Sequence, residues 1–240
     1  MIMTDIIEVN NVSISYREKG HLFSARSHQV FSGLTFDVKR GETLGVLGRN
    51  GAGKSTLLKL LANIYKPDVG KIINNSRKTS LLTLSAGFDL NLSGRDNALL
   101  SGMLMGYRKK EIETGIDDIY EYSELGEFFD QPLKTYSTGM RGRLGFAVAT
   151  FMSPEVLLVD EVLGVGDESF KAKARKTMDD LICSDQTVVL VSHSMEAMLK
   201  LCSRVMWLEN GKIKNIGPPE IVVENYKQSF KKNTLGYDAR

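Results

Sequence analysis

The string Gly48-Arg49-Asn50-Gly51-Ala52-Gly53-Lys54-Ser55-Thr56 constrains this chain more than any other feature in it. Its glycines let the backbone turn tightly and present consecutive N–H groups, which can wrap a phosphate while the following helix offers its positive end. By residue frequencies such a string should arise by chance in about one chain in a hundred of this length. The context it requires is present. A continuous apolar run starts at Thr43, and Leu57, Leu60, Leu61 and Ile64 recur at helical spacing after the loop.

Within the loop, Lys54 is placed to reach the outer phosphates and Ser55 to offer its hydroxyl to Mg²⁺, while Thr56 can cap the helix or touch the α-phosphate. A second apolar strand, residues 156–159, ends in Asp160 and Glu161. Ligands in parallel α/β sheets sit beyond the carboxyl ends of the strands, so these acids are delivered to the same place. There Asp160 would hold Mg²⁺ through water, and Glu161 would orient or deprotonate the attacking water. His193 follows the β-rich run 187–191 and suits a side chain that contacts the γ-phosphate and senses its loss. His21 and His28 fall in a polar stretch, 17–28, which reads as a long exposed loop with solvated histidines. Tyr136-Ser137-Thr138-Gly139-Met140 precedes a helix with Leu144, Phe146 and Val148, so Ser137 reads as an N-cap. Two accounts stay open: an ordinary capped helix, which is the simpler, or a second phosphate-binding end completed by another subunit.

The rest of the chain supplies the frame. Val12, Ile14 and Tyr16, then Leu34, Phe36 and Val38, alternate as half-buried antiparallel strands do. Pro67, Asp68 and Gly70 mark a turn before a small β region ending near Leu84. From Gly94 to Phe151 the periodicity turns helical, with Leu99, Leu100, Met103 and Leu104 on one stretch and Ile116, Ile119 and Tyr120 on another. A charged helix is expected over 171–181, a hairpin at Asn210-Gly211, and a solvated, partly disordered lysine-rich end over 227–240. The reading is therefore α/β: a P-loop NTPase (RecA-like) core, about 1–90 and 153–226, with an antiparallel β subdomain and an inserted helical subdomain, about 91–152.

Whole-chain charge argues against one class of partner, with a local basic patch left open. Lysine plus arginine total 31 against 29 aspartate plus glutamate, so the basic footprint of a nucleic-acid binder is missing. Cys183 and Cys202 lie in apolar stretches and read as buried thiols in a reducing compartment. No apolar run approaches the ~18 residues of a spanning helix, and the start lacks the basic leader of a secretory signal.

Taken in order, these strings resemble the ATP-binding subunit of ABC transporters over nearly the whole chain. The resemblance implies Walker A at 48–56, Walker B at 156–161, a D-loop reaching Asp167, the switch His193 and the signature at 136–140. It further implies a head-to-tail homodimer in which each ATP lies between one subunit's Walker A and the other's Ser137 and Gly139, with Tyr16 stacking on adenine. Two departures stand out. Thr138 and Met140 replace the usual signature glycine and glutamine, and no glutamine occurs between Ser55 and Phe129, where Leu84-Ser85-Ala86-Gly87-Phe88 occupies the expected glutamine loop.

Those departures, with Leu92-Ser93-Gly94-Arg95-Asp96-Asn97 and the run from Asp160 to Asp167, resemble the polysaccharide-export branch. That branch powers export of lipid-linked O-antigen, capsular polysaccharide or teichoic acid, two ATPase chains working beneath two membrane-spanning permease chains on the cytoplasmic side of the bacterial inner membrane. The permease surface is expected around 87–107, where Phe88, Leu90, Leu92, Leu99 and Met103 offer apolar groups. The rival readings are a soluble ABC ATPase and a scaffold that binds ATP without turnover.

Overall fold

A computed structural model describes residues 4–17, 27–82, 87–152, 154–160, 168–182 and 186–235. Glu161 and Asp167, Leu84 to Ala86 of the expected glutamine loop, and His21 and Cys183 lie outside the described residues. By its contacts the chain divides into two units, Met1–Arg77 with Leu158–Glu161 and Ile182–Arg240, and Lys78–Leu157 with Val162–Leu181.

The first unit opens with two long antiparallel strands, β1 (Asp5–Arg17) and β2 (Ser27–Lys39). Their apolar positions explain the pairing: Val9 lies opposite Phe36 and Val12 opposite Leu34, and all four are buried. β2 therefore takes in His28, which the polarity of 17–28 had assigned to a loop. β4 (Val69–Asn74) joins the free side of β1, in the order β2-β1-β4.

A second sheet of this unit centres on β3 (Thr43–Leu47) and β7 (Thr187–Val191), both buried throughout, as unbroken apolar strands of a parallel sheet should be. β3 also runs parallel to β8 (Arg204–Glu209), whose hairpin partner is β9 (Lys212–Gly217). The turn between them uses Asn210 and Gly211 at φ 48° and 69°. Gly211 is required twice over, because a Cβ there would lie 2.2 Å from the Val30 carbonyl oxygen. The last residues of β6 (Val156–Asp160) complete the order β6-β7-β3-β8-β9. Beneath the sheets, the buried Glu42 accepts from Arg204 Nη1 at 3.1 Å, and Asp37 accepts from the same nitrogen at 2.9 Å. Burial raises the Glu42 pKa.

Helix α1 (Lys54–Leu61) buries Leu57, Leu58, Leu60 and Leu61. Ile64 does not extend this stripe as expected: Asn63 takes φ 57°, the helix stops, and Ile64 is exposed. The remaining helices of the unit are numbered in chain order, α7 (Met195–Leu201) and α8 (Pro219–Leu235). The expected disordered tail is helical as far as Leu235, anchored by the buried Val222, Val223 and Tyr226. Cys202 is a buried free thiol whose pKa is pushed up to about 12 by burial.

The second unit holds β5 (Thr79–Leu82), α2 (Gly94–Leu104), α3 (Lys109–Thr114), α4 (Ile116–Ser123), α5 (Thr138–Phe151) and nearly all of α6 (Glu168–Ile182). Ala98, Ile112, Ile119, Phe129, Leu133, Leu144 and Val148 form its core. α6 docks on this unit through Phe170, edge-on to Phe146 at 6.2 Å, and through a 2.7 Å bond from the Tyr122 hydroxyl to Thr177.

Candidate functional site

The loop between β3 and α1 is shaped by close contacts at Gly48 and Gly53 that leave no room for a side chain at either position. A Cβ on Gly48 would lie 2.4 Å from the Leu208 carbonyl oxygen of β8. Gly53 sits at φ 97°, and a Cβ there would also meet Phe31 at 2.6 Å. Inside the loop, Ala52 N donates to the Arg49 carbonyl at 3.1 Å. Lys54 folds back so that Nζ donates to the carbonyls of Gly48 at 2.8 Å and Arg49 at 3.1 Å. Its charge is thus held against the loop, with only 8% of the residue exposed. Gly53 caps α1 without any side-chain acceptor, and the first turn carries no acid. A helix end of this kind, with no side-chain cap and no acid, carries the partial positive charge that suits an anion.

These groups open on a cavity of about 370 Å³. Asn50, Gly51, Gly53, Lys54, Ser55 and Thr56 line it from the loop, Asp160 from the end of β6, and His193 from the turn after β7. Three segments far apart in the chain thus deliver the expected phosphate, metal and sensor residues to one place. Gly48, Arg49 and Ala52 shape the loop behind the cavity instead of lining it. Tyr16 reaches the cavity from β1, with its hydroxyl 3.1 Å from Thr56 Oγ1 and its ring edge-on to Tyr65 at 5.9 Å. Ser55 and Asp160 both line the cavity and offer side-chain oxygens to it. That donor set suits Mg²⁺, which takes few protein oxygens and completes its shell with water and phosphate.

His28 and Val30 also line the cavity. The sequence reading missed both: His28 is exposed, as expected, but it lies in strand β2 and not in a loop. The missing signal is tertiary, because strand pairing sets His28 opposite Tyr16.

In the second unit Ser137 caps α5, its hydroxyl accepting from Met140 N at 3.1 Å, and both Ser137 and Thr138 are exposed. Gly139 lies in the first turn of the same helix. The neighbouring strings interlock. The Tyr136 hydroxyl donates to the Phe128 carbonyl at 2.6 Å and fills the space a Cβ on Gly94 would need, 2.2 Å away. Buried Asn97 donates to the carbonyls of Asp89, Leu92 and Ser93 at 2.8–3.2 Å and accepts from Asp89 N at 2.7 Å. That amide fixes the loop which presents Leu90 and Leu92, exposed together with Met103 and Leu104. Phe88 and Leu99, expected on the same surface, instead pack against the core of the unit.

A family model described as ABC transporter matches residues 31–164. The chain is 42% identical over 209 residues to the O-antigen export system ATP-binding protein RfbB of Klebsiella pneumoniae, covering 87% of this chain and 85% of that protein. It is 42% identical over 202 residues to the teichoic acids export ATP-binding protein TagH of Lactococcus lactis, covering 83% of this chain and 43% of that protein. Among solved structures, the ATP-binding cassette MJ0796, seen as a dimer in a post-hydrolysis state with ADP and Pi, matches with a TM-score of 0.71 at 22% identity. That match covers 89% of this chain and 98% of the cassette, and it carries the fold alone.

Proposed function

The chain belongs to the ABC transporter family, and on that premise we propose that it is the ATP-hydrolysing subunit of an exporter of lipid-linked polysaccharide, O-antigen foremost. The observation that carries this reading is the single cavity lined by the phosphate loop, Asp160 and His193. The similarity to RfbB points to the cargo, and the similarity to TagH keeps teichoic acid as the alternative.

In this account the α1 amides and Lys54 bind the β- and γ-phosphates of ATP, and Tyr16 meets the base. Ser55, and Asp160 through water, would hold Mg²⁺, which would supply positive charge to the transferring phosphoryl group. Glu161 orients the attacking water, and His193 contacts the γ-phosphate and registers its departure. Ser137 and Gly139 of a second copy, with that copy's D-loop Asp167, close over the nucleotide. ATP then favours the closed homodimer by the difference in its affinity for closed and open states, and hydrolysis reverses the preference.

No described helix is long and apolar enough to cross a membrane. Transport therefore falls to a permease, and we place its two copies against the exposed Leu90, Leu92, Met103 and Leu104. This puts the ATPase on the cytoplasmic face of the bacterial inner membrane. The test is mass spectrometry of lipid-linked glycans in the native bacterium carrying Lys54→Ala, with inner and surface pools separated. Polymer retained inside and lost from the surface is expected. An unchanged distribution, with turnover abolished and no second motor compensating, sinks the export reading.

A further inference from the structure

The Arg49 side chain of the loop reaches α8. Its guanidinium lies 4.9 Å over the ring of Phe230. Phe230 meets Tyr226 edge-on at 4.9 Å, and Tyr226 meets Trp207 of β8 at 5.5 Å. The next residue of β8, Leu208, presents the carbonyl against which Gly48 closes. The loop is thus gripped at its entry from both sides, by β8 through Gly48 and by α8 through Arg49. The backbone of Arg49 faces the other way, its carbonyl accepting from both Lys54 Nζ and Ala52 N.

We propose that α8 pre-sets the phosphate loop through the stack of Phe230 on Arg49, which makes Phe230 a positioning residue for nucleotide binding. The inference rests on the nucleotide-binding reading of the cavity and adds a residue 170 or more positions from the loop to it. Its physical content is a difference in ordering. With Arg49 anchored, the Arg49 carbonyl is already in place for Lys54, and less freedom is lost when phosphate arrives. With the anchor gone, that ordering cost falls on binding, whereas the bound loop ends in the same geometry. The Michaelis constant should therefore move and kcat should not.

The stack is partly exposed, which limits its size: a cation over an exposed ring changes an equilibrium by roughly two- to fivefold. The experiment is steady-state Mg·ATP turnover by the full chain, with circular dichroism melting as the fold control. Phe230→Leu, which keeps apolar bulk but removes the aromatic face, should raise KM about threefold at unchanged kcat. Phe230→Trp should restore the wild-type KM, and Phe230→Leu should have no further effect in an Arg49→Gln background. A wild-type KM in Phe230→Leu, a Phe230→Trp variant as impaired as the leucine, or an equal effect in the Arg49→Gln background each overturns the proposal. Should the leucine variant fail to fold, Arg49→Gln alone reads the contact from its other end, and an unchanged KM there overturns it equally. Failure of the nucleotide reading looks different: wild-type protein then shows no turnover that Lys54→Ala abolishes, and the positioning role falls with it.

Discussion

Helices α1 and α5 begin alike and finish their N-termini differently. Neither carries an acid in its first turn. Every other described α-helix does, or begins on one: Asp96 in α2, Glu111 in α3, Asp117 and Asp118 in α4, Glu168 in α6, Glu196 in α7 and Glu220 in α8. Acids at that end satisfy the dipole from within, and their absence leaves it for an external anion. In α1 the cap is a left-handed glycine with no side-chain acceptor, a lysine is folded against the loop, and a cavity stands in front. α5 instead has a serine cap that already engages Met140 N, with Ser137 and Thr138 exposed. On the proposed function, the contrast separates an end whose site is built within this unit from one that a second copy would complete.

The largest effect that sharpens this contrast belongs to the lysine. Lys54→Ala should lower ATP turnover by at least about a hundredfold, since it removes the charge preorganised at the phosphates. Turnover within tenfold of wild type, measured by phosphate release, would break the assignment of α1 as the principal anion site. Gly53→Ala comes next: forcing a left-handed residue against Phe31 should cost at least about 2 kcal/mol and abolish ATP binding together with it. Thermal melting and equilibrium dialysis check the two halves of that outcome.

For α5 the effect should split. Ser137→Ala should cost about 1 kcal/mol as a lost cap and lower turnover about tenfold, while ATP binding to the isolated protomer stays unchanged. Weakened protomer binding would place Ser137 in the same protomer's site and erase the distinction drawn here. His28→Ala, smaller still, should weaken ATP binding about threefold if its ring meets the nucleotide; an unaltered dissociation constant removes it from the site.

One carboxyl group in each unit, Asp130 and Glu42, titrates with the opposite sign to the other. Asp130 accepts from Arg95 at 2.7 Å, and that bond holds its carboxyl below the usual range. The stability it contributes is present above the unfolded value of 3.8 and is lost as pH falls through the lowered folded one. Glu42 behaves in reverse: raised by burial, it contributes stability below the unfolded value of 4.5 that is lost as pH rises through its folded pKa. Melting curves from pH 3 to 7 should show wild type losing its margin over Asp130→Asn as pH falls, and gaining on Glu42→Gln as pH falls. The same sign for both variants would contradict this.

What could be read from the sequence was what is local. The phosphate loop carries its own strand, glycines and helix within a few turns of chain, so residues 48–56 announced both fold and chemistry. Asp160 and His193 followed because each ends an apolar strand of the same sheet. His28 could not be read, because its polar neighbours look like a loop until β1 pairs with β2 and sets it opposite Tyr16. Lysines at 227, 231 and 232 hid the end of α8, although Val222, Val223, Tyr226 and Phe230 recur at helical spacing. Gly94 and Tyr136 were each visible in their strings, yet only folding shows that the hydroxyl of one occupies the space left by the other.

The most direct test of the central claim is sedimentation of the Glu161→Gln chain with Mg·ATP, followed by analysis of the bound nucleotide. The account predicts a dimer that holds two molecules of unhydrolysed ATP and that dissociates when Ser137→Ala is added to the same chain. A chain that stays monomeric at saturating ATP, or that converts ATP to ADP at the wild-type rate, would contradict it.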